Sequence, residues 1–190
     1  MLKHGQKKTM EINIQKIRSL IGRVGVLDNN LLNDFTELQC ISLLNKVFVK
    51  VYIPQSILDR EAILETIQSN IEWLEYQPTA LEHAESYEFL LKIIEEKPAL
   101  SSFDAECIAI AREKMIYCTS NEKRVMSICQ EYDIECTGTI GILCCAYEHK
   151  ILSLEQFEQL LKKLFSPDCT EYLGPEIKKS IFSYYNISNT

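Results

Sequence analysis

Residues 100–143 read LSSFDAECIAIAREKMIYCTSNEKRVMSICQEYDIECTGTIGIL, and the order of elements in this stretch decides the fold. Ser101 opens a helical run, SSFDAECIAIAREK, followed by a strand at 115–119, MIYCT. A helix over 122–132, a short strand at 134–137 and a helix starting near Gly141 come next. Apolar residues recur at helical spacing in the helical segments, while the strands are short apolar or β-branched runs. Strands alternating with helices of this kind specify crossover units and a parallel sheet covered on both faces.

Outward from this stretch the alternation continues. Arg23–Asp28 (RVGVLD) reads as a buried strand, with an amphipathic helix after it. Val47–Ile53 (VFVKVYI) is a β-branched and aromatic strand closed by Pro54, and Ser56 is a candidate N-cap for a helix running towards Asn70. Pro78 separates that helix from another, Ala80–Lys97, which Pro98 stops. Ser153 and Gln156 have capping-box spacing, and a last helix after Pro175 carries Ile177, Ile181, Phe182 and Tyr185 on one side, expected to pack on the core. The expected architecture is α/β, a three-layer α/β/α sandwich with a parallel sheet of about four or five strands. We expect a single domain over residues 1–190, with 56–97 an acidic helical elaboration and 166–190 a helical tail.

The chain has 190 residues, 46% of them hydrophobic, and a formal net charge of −7. That composition suits a folded core and excludes disordered and collagen-like classes. Residues 59–97 hold ten acids against three bases, so this one segment matches the whole excess, while residues 1–58 are net +4. Net charge therefore excludes a nonspecific phosphate binder without excluding every protein that acts on nucleic acid. No apolar run is long enough to span a bilayer, and the basic start has no apolar segment behind it. The eight cysteines include no CxxC pair, so spacing gives neither a zinc nor a redox motif; as small buried hydrophobes they imply a reducing, cytoplasmic compartment.

Phosphate-binding glycine loops, a nucleophile elbow and a histidine metal motif are all missing from the sequence. What remains is acids at strand ends, where parallel α/β sheets gather their ligands. Asp28 follows the first strand, Asn121 and Glu122 follow the MIYCT strand, and Asp104 with Glu106 opens the helix leading into it. Carboxylates and an amide converging from separate segments suit a hard divalent cation, whose main use in such a site is to activate water against a phosphate ester. Each residue also fits a simpler role: Asp28 and Asn121 as helix caps, Asp104 in a capping box behind Ser101, Glu122 at a helix dipole. Spacing alone leaves both readings open.

The stretch 100–143 resembles the C-terminal half of PIN-domain nucleases: an acid opening an Ala/Ile-rich helix, a strand ending in Thr-x-Asp or Asp-Asp, a helix, then a Gly-Thr-x-Gly turn. VLDNNLLNDF resembles their opening strand with its first aspartate, and VFVKVYIPQSILDREA their second strand and its glutamate-bearing helix. The resemblance places the first aspartate on Asp28, the helix-start acid on Asp104, a second acid of one family branch on Glu106, and the strand-end pair on Asn121 and Glu122. The helix glutamate would fall on Arg60, between Asp59 and Glu61, and we assign it to Glu61. One position of the strand-end pair is thus an amide.

The resemblance implies a Mg²⁺- or Mn²⁺-dependent endonuclease acting on single-stranded RNA, with Asp28, Asp104, Glu106 and Asn121 around the metal and Lys123 and Arg124 near the nucleic-acid backbone. It further implies a toxin or defence-system setting, with a cognate antitoxin or defence-complex protein as partner and a homo-oligomer compatible with it. Two competing expectations are a PIN-like scaffold with weakened catalysis, motivated by Asn121, and a nuclease subunit of a larger complex acting on DNA or structured RNA.

Overall fold

The first strand of the chain is also the central one. β1 (Arg23–Leu27) pairs in parallel with β2 (Phe48–Pro54) on one side and with β4 (Tyr117–Thr119) on the other. β3 (Gln77–Thr79) and β5 (Cys136–Thr137) form the edges, so five parallel strands run in the order β3-β2-β1-β4-β5. The computed structural model describes residues 12–59, 74–167, 169 and 174–188.

Two groups of helices cover the sheet. One group is α5 (Ala84–Glu96), α6 (Ser102–Lys114) and α7 (Lys123–Glu131), with α6 packed on β1 and β4. The other gathers around α8 (Thr139–Glu148), which touches α1 (Ile14–Arg18), α2 (Asn29–Glu37), α3 (Leu43–Val47) and α9 (Leu154–Leu164). Sandwiching explains the strand composition: Gly25, Val26 and Leu27 of β1 and all of β4 are buried, as expected where both faces are covered. α6 and α8 lie deepest. Cys107–Ala111 of α6 and Ile142–Ala146 of α8 are unbroken buried runs, so apolar side chains face the neighbours on every side. Cys107, Cys144 and Cys145 serve here as the small hydrophobes expected of them.

The three-layer α/β/α architecture is the one the sequence specifies, with several local differences. β3 runs straight through Pro78, which pairs with Ile53; the sequence reading placed this proline between two helices and gave no strand there. Proline lacks a donor for the ladder, and an edge strand has one side on which none is needed. Ser56 caps nothing: α4 (Gln55–Leu58) begins after Pro54, and Ser56 lies inside it with its hydroxyl turned to Glu106. The second helix of the acidic segment starts at Ala84 rather than Ala80. Ser153 and Gln156 do close the capping box of α9. α10 (Pro175–Tyr184) has proline in its first turn and buries Ile181 and Phe182, and Tyr185 after it joins Tyr147 and Phe157, with ring centroids 4.6–5.4 Å apart.

Gly25 sits where β1 crosses Phe48. A Cβ there would stand 3.0 Å from the Phe48 ring, tighter than most packed contacts, so the ring would have to give way. Gly25→Ala is expected to destabilise the fold by about 1–3 kcal/mol, the usual cost of overpacking a core. A lower urea midpoint at unchanged slope would register it.

Candidate active site

From β1 the chain winds outward through β2 and β3, then crosses back to lay β4 and β5 on the other flank. Crossovers therefore leave β1 and β4 in opposite directions, and a crevice opens at their carboxyl ends. Leu27 is paired with Thr119, so Asp28 and Ser120 emerge side by side. The Thr119 hydroxyl donates to the Val26 carbonyl at 3.0 Å, and the Cys107 thiol points at the Leu27 carbonyl at 3.7 Å, fixing α6 against this end.

The two oxygens of Asp28 differ in their partners. Its Oδ1 accepts the Leu31 N–H at 2.8 Å as the N-cap of α2. Its Oδ2 is buried with no hydrogen-bond partner, as is Oδ1 of the adjacent Asn29. With Asp28 only 3% exposed, burial pushes its carboxyl up to about 7; Leu31 and Ser120 oppose the shift, and the charges of Asp104 and Asp34 add to it.

Asp104 approaches from the first turn of α6. Ser101 Oγ accepts the Asp104 N–H at 3.1 Å and donates to its Oδ2 at 2.6 Å. Glu122, in the N-cap position of α7, accepts from Asn30 at 3.2 Å, and partial burial together with Asp104 raises its carboxyl above the ordinary range. Asp28, Asp104 and Glu122 thus form one electrostatically coupled group. Glu106, a half-buried neighbour on α6, accepts from Ser56 of α4 instead. Glu61 lies outside the described residues, and Asp59 is exposed and held by Gln55 at 2.7 Å. Arg124 donates to the Ala99 carbonyl at 2.9 Å and so braces the loop before α6, while Lys123 is exposed.

Asn121 faces a different way. Its Nδ2 donates to Asp34 at 2.6 Å and to the Thr139 hydroxyl at 2.9 Å, and its Oδ1 accepts the Thr139 N–H at 2.9 Å. The Thr139 hydroxyl itself donates to Asp34. One amide side chain therefore clamps α2, the end of β4 and the start of α8. The Gly-Thr-x-Gly turn is explained by the same contacts: a Cβ on Gly138 would lie 2.3 Å from Asn121 Oδ1, and one on Gly141 2.3 Å from Thr137 Oγ1. Sequence reasoning missed Asp34, which is 1% exposed. A usable signal was present, since Asp34 shares the apolar face of α2 with Leu31 and Phe35.

Two outcomes follow from these contacts. Because the folded Asp28 carboxyl binds its proton more tightly than the unfolded one (about 7 against 3.8), stability should fall as pH rises between those values and level off above them. Asp28→Asn keeps the cap and removes the buried charge. In metal-free buffer at pH 8 it is expected to gain roughly 2–4 kcal/mol, with little gain near pH 4; thermal melts at both pH values check this. Asn121→Asp sets a carboxylate against Asp34 and deletes the amide donor. It is expected to cost at least about 2–4 kcal/mol in the same melts, more than Asn121→Ser.

Among the described residues no helix is long and apolar enough to cross a membrane. No curated protein and no solved structure matches the chain. Residues 24–183 match the family DUF3368, described as a PIN domain, and that span runs from β1 into α10, taking in the crevice and the clamp. PIN domains are generally nucleases. With its parallel sheet and its acids at the β1–β4 crevice, the chain belongs to the PIN-domain family.

Proposed function

We propose that the protein is a Mg²⁺- or Mn²⁺-dependent endonuclease that hydrolyses phosphodiester bonds, with single-stranded RNA as its substrate in a toxin or defence setting. The observation that carries this reading is the buried, unpartnered Asp28 Oδ2 facing the charge of Asp104. Carboxylates brought together in low dielectric repel unless a cation lies between them. The donor set is all oxygen, with Asn29 Oδ1 also unpartnered, and that suits a hard divalent ion.

Asp28 and Asp104 would hold the ion, with Glu106 and Glu122 reaching it through water. Such an ion supplies Lewis-acid stabilisation of the attacking and leaving oxygens. The chain's own groups do the rest. Ser101 orients the Asp104 carboxylate by its 2.6 Å hydrogen bond. Glu122, at the rim with a raised affinity for its proton, is suited to pass a proton between water and the leaving oxygen. Asn121 acts as a positioning residue, because its amide is committed to Asp34 and Thr139.

That commitment also favours a second reading, a PIN-like scaffold whose metal site is one charge short. Titration calorimetry separates the two: the nuclease reading requires Mn²⁺ or Mg²⁺ to bind at millimolar concentration or below, and its absence favours the scaffold. On a panel of labelled RNA and DNA, Asp104→Asn is expected to slow cleavage by roughly a hundredfold or more. Cleavage that survives this substitution would place the activity elsewhere, and a preference for duplex or DNA would replace the proposed substrate.

A further inference from the structure

Three of the eight cysteines meet at a place the proposed nuclease chemistry does not use. Cys118 lies on β4, Cys129 at the end of α7 and Cys136 on β5, with their sulfur atoms all within 4.8 Å of one another. Among the described residues no other three His, Cys, Asp or Glu side chains are gathered in this way. The fold makes the convergence. Cys118 and Cys136 are register partners across the parallel pair β4–β5. The turn after α7 returns through Asp133 in a left-handed conformation, and Ile134 N–H bonds back to the Cys129 carbonyl at 2.8 Å. Cys118 and Cys129 are fully buried and Cys136 half-buried.

We propose that Cys118, Cys129 and Cys136 form a binding site for a thiophilic d¹⁰ cation, Zn²⁺ or Cu⁺, with three thiolate ligands and a fourth position open to the adjoining cavity. Sulfurs bound about 2.3 Å from one ion stand about 3.8–4.0 Å apart, so closing the observed triangle needs only rotamer-scale movement. An odd number of mutually adjacent thiols also sets this cluster apart from a disulfide, which would leave one sulfur over. Soft thiolate ligands select ions of this class over Mg²⁺ or Ca²⁺. Cys136 borders a cavity of about 460 Å³ whose lining includes Lys16, Met126 and Gln130, which gives an ion a way in. The Lys16 ammonium, paired with Glu135 at 2.9 Å, lines the same cavity as Cys136. A bound ion would tie the two-residue edge strand β5 to β4 and α7.

The test uses the full chain, reduced and metal-free, titrated with Co²⁺. The expected result is a thiolate-to-cobalt charge-transfer band that saturates at one equivalent and is displaced by Zn²⁺ or Cu⁺, whichever displaces it tighter being the ion selected. Cys136→Ser should weaken binding by more than the roughly tenfold to hundredfold that losing even an outer partner costs, whereas Cys40→Ser and Asp28→Asn should leave the band intact. Should Cys136→Ser fail to fold, alkylation of the native chain decides: the cation should protect the half-buried Cys136 while the equally half-buried Cys40 and Cys169 stay reactive, read by peptide mass spectrometry. Absence of the band, its survival in Cys136→Ser, or protection of other cysteines would overturn the proposal.

Discussion

The side chain of Asn121 carries more of this structure than its size suggests. It makes three hydrogen bonds, one to Asp34 and two to Thr139, residues on elements far apart in sequence. Asp34 is buried to 1% exposure, and a buried carboxylate without donors would cost several kcal/mol. The amide supplies one donor and the Thr139 hydroxyl another. Asp34 is six residues beyond Asp28 in the same short helix, so α2 is held at its cap by one aspartate and near its far end by the other. An aspartate at position 121 would oppose Asp34 instead of donating to it. The amide at position 121 therefore has a local use, supplying Asp34 with a neutral donor.

Cap and ligand looked like rival readings of Asp28 along the sequence. The geometry lets both stand together, because one carboxylate has two oxygens and the cap uses only Oδ1. The same holds for Asp104, whose backbone N–H satisfies the Ser101 cap while its carboxylate stays with the acidic group. The shift in Asp28 records the cost of holding its charge in a dry place beside Asp104 and Asp34.

The fold was largely legible because its determinants are local. Periodicity gave β1, β2, β4 and α6, capping chemistry gave the start of α9, and alternation gave the parallel sheet. What escaped was set by partners distant in sequence. β3 exists because Gln77–Thr79 finds the edge of β2 despite Pro78. Asp34 acquires its role from residues 87 and 105 positions away. Ser56 carries a cap's composition yet serves Glu106, 50 positions on. Neither propensity nor spacing along the chain encodes such pairings.

The cysteines make the same argument in its sharpest form. Spacing motifs such as CxxC report ligands that a single turn brings together, so their absence says nothing about ligands that a sheet brings together. In a parallel pair, neighbours across the ladder are separated by one whole crossover. Here that crossover is α7 with its flanking loops, and Cys118 pairs with Cys136, 18 residues on. Asn121 reaches Thr139 across the same interval of 18. A single β-α-β unit thus sets both the thiol triangle and the amide clamp, three residues apart on each strand's path. Anything that draws Cys136 towards Cys118 also acts on the segment that delivers Gly138 and Thr139 to Asn121, so the two centres share one mechanical element.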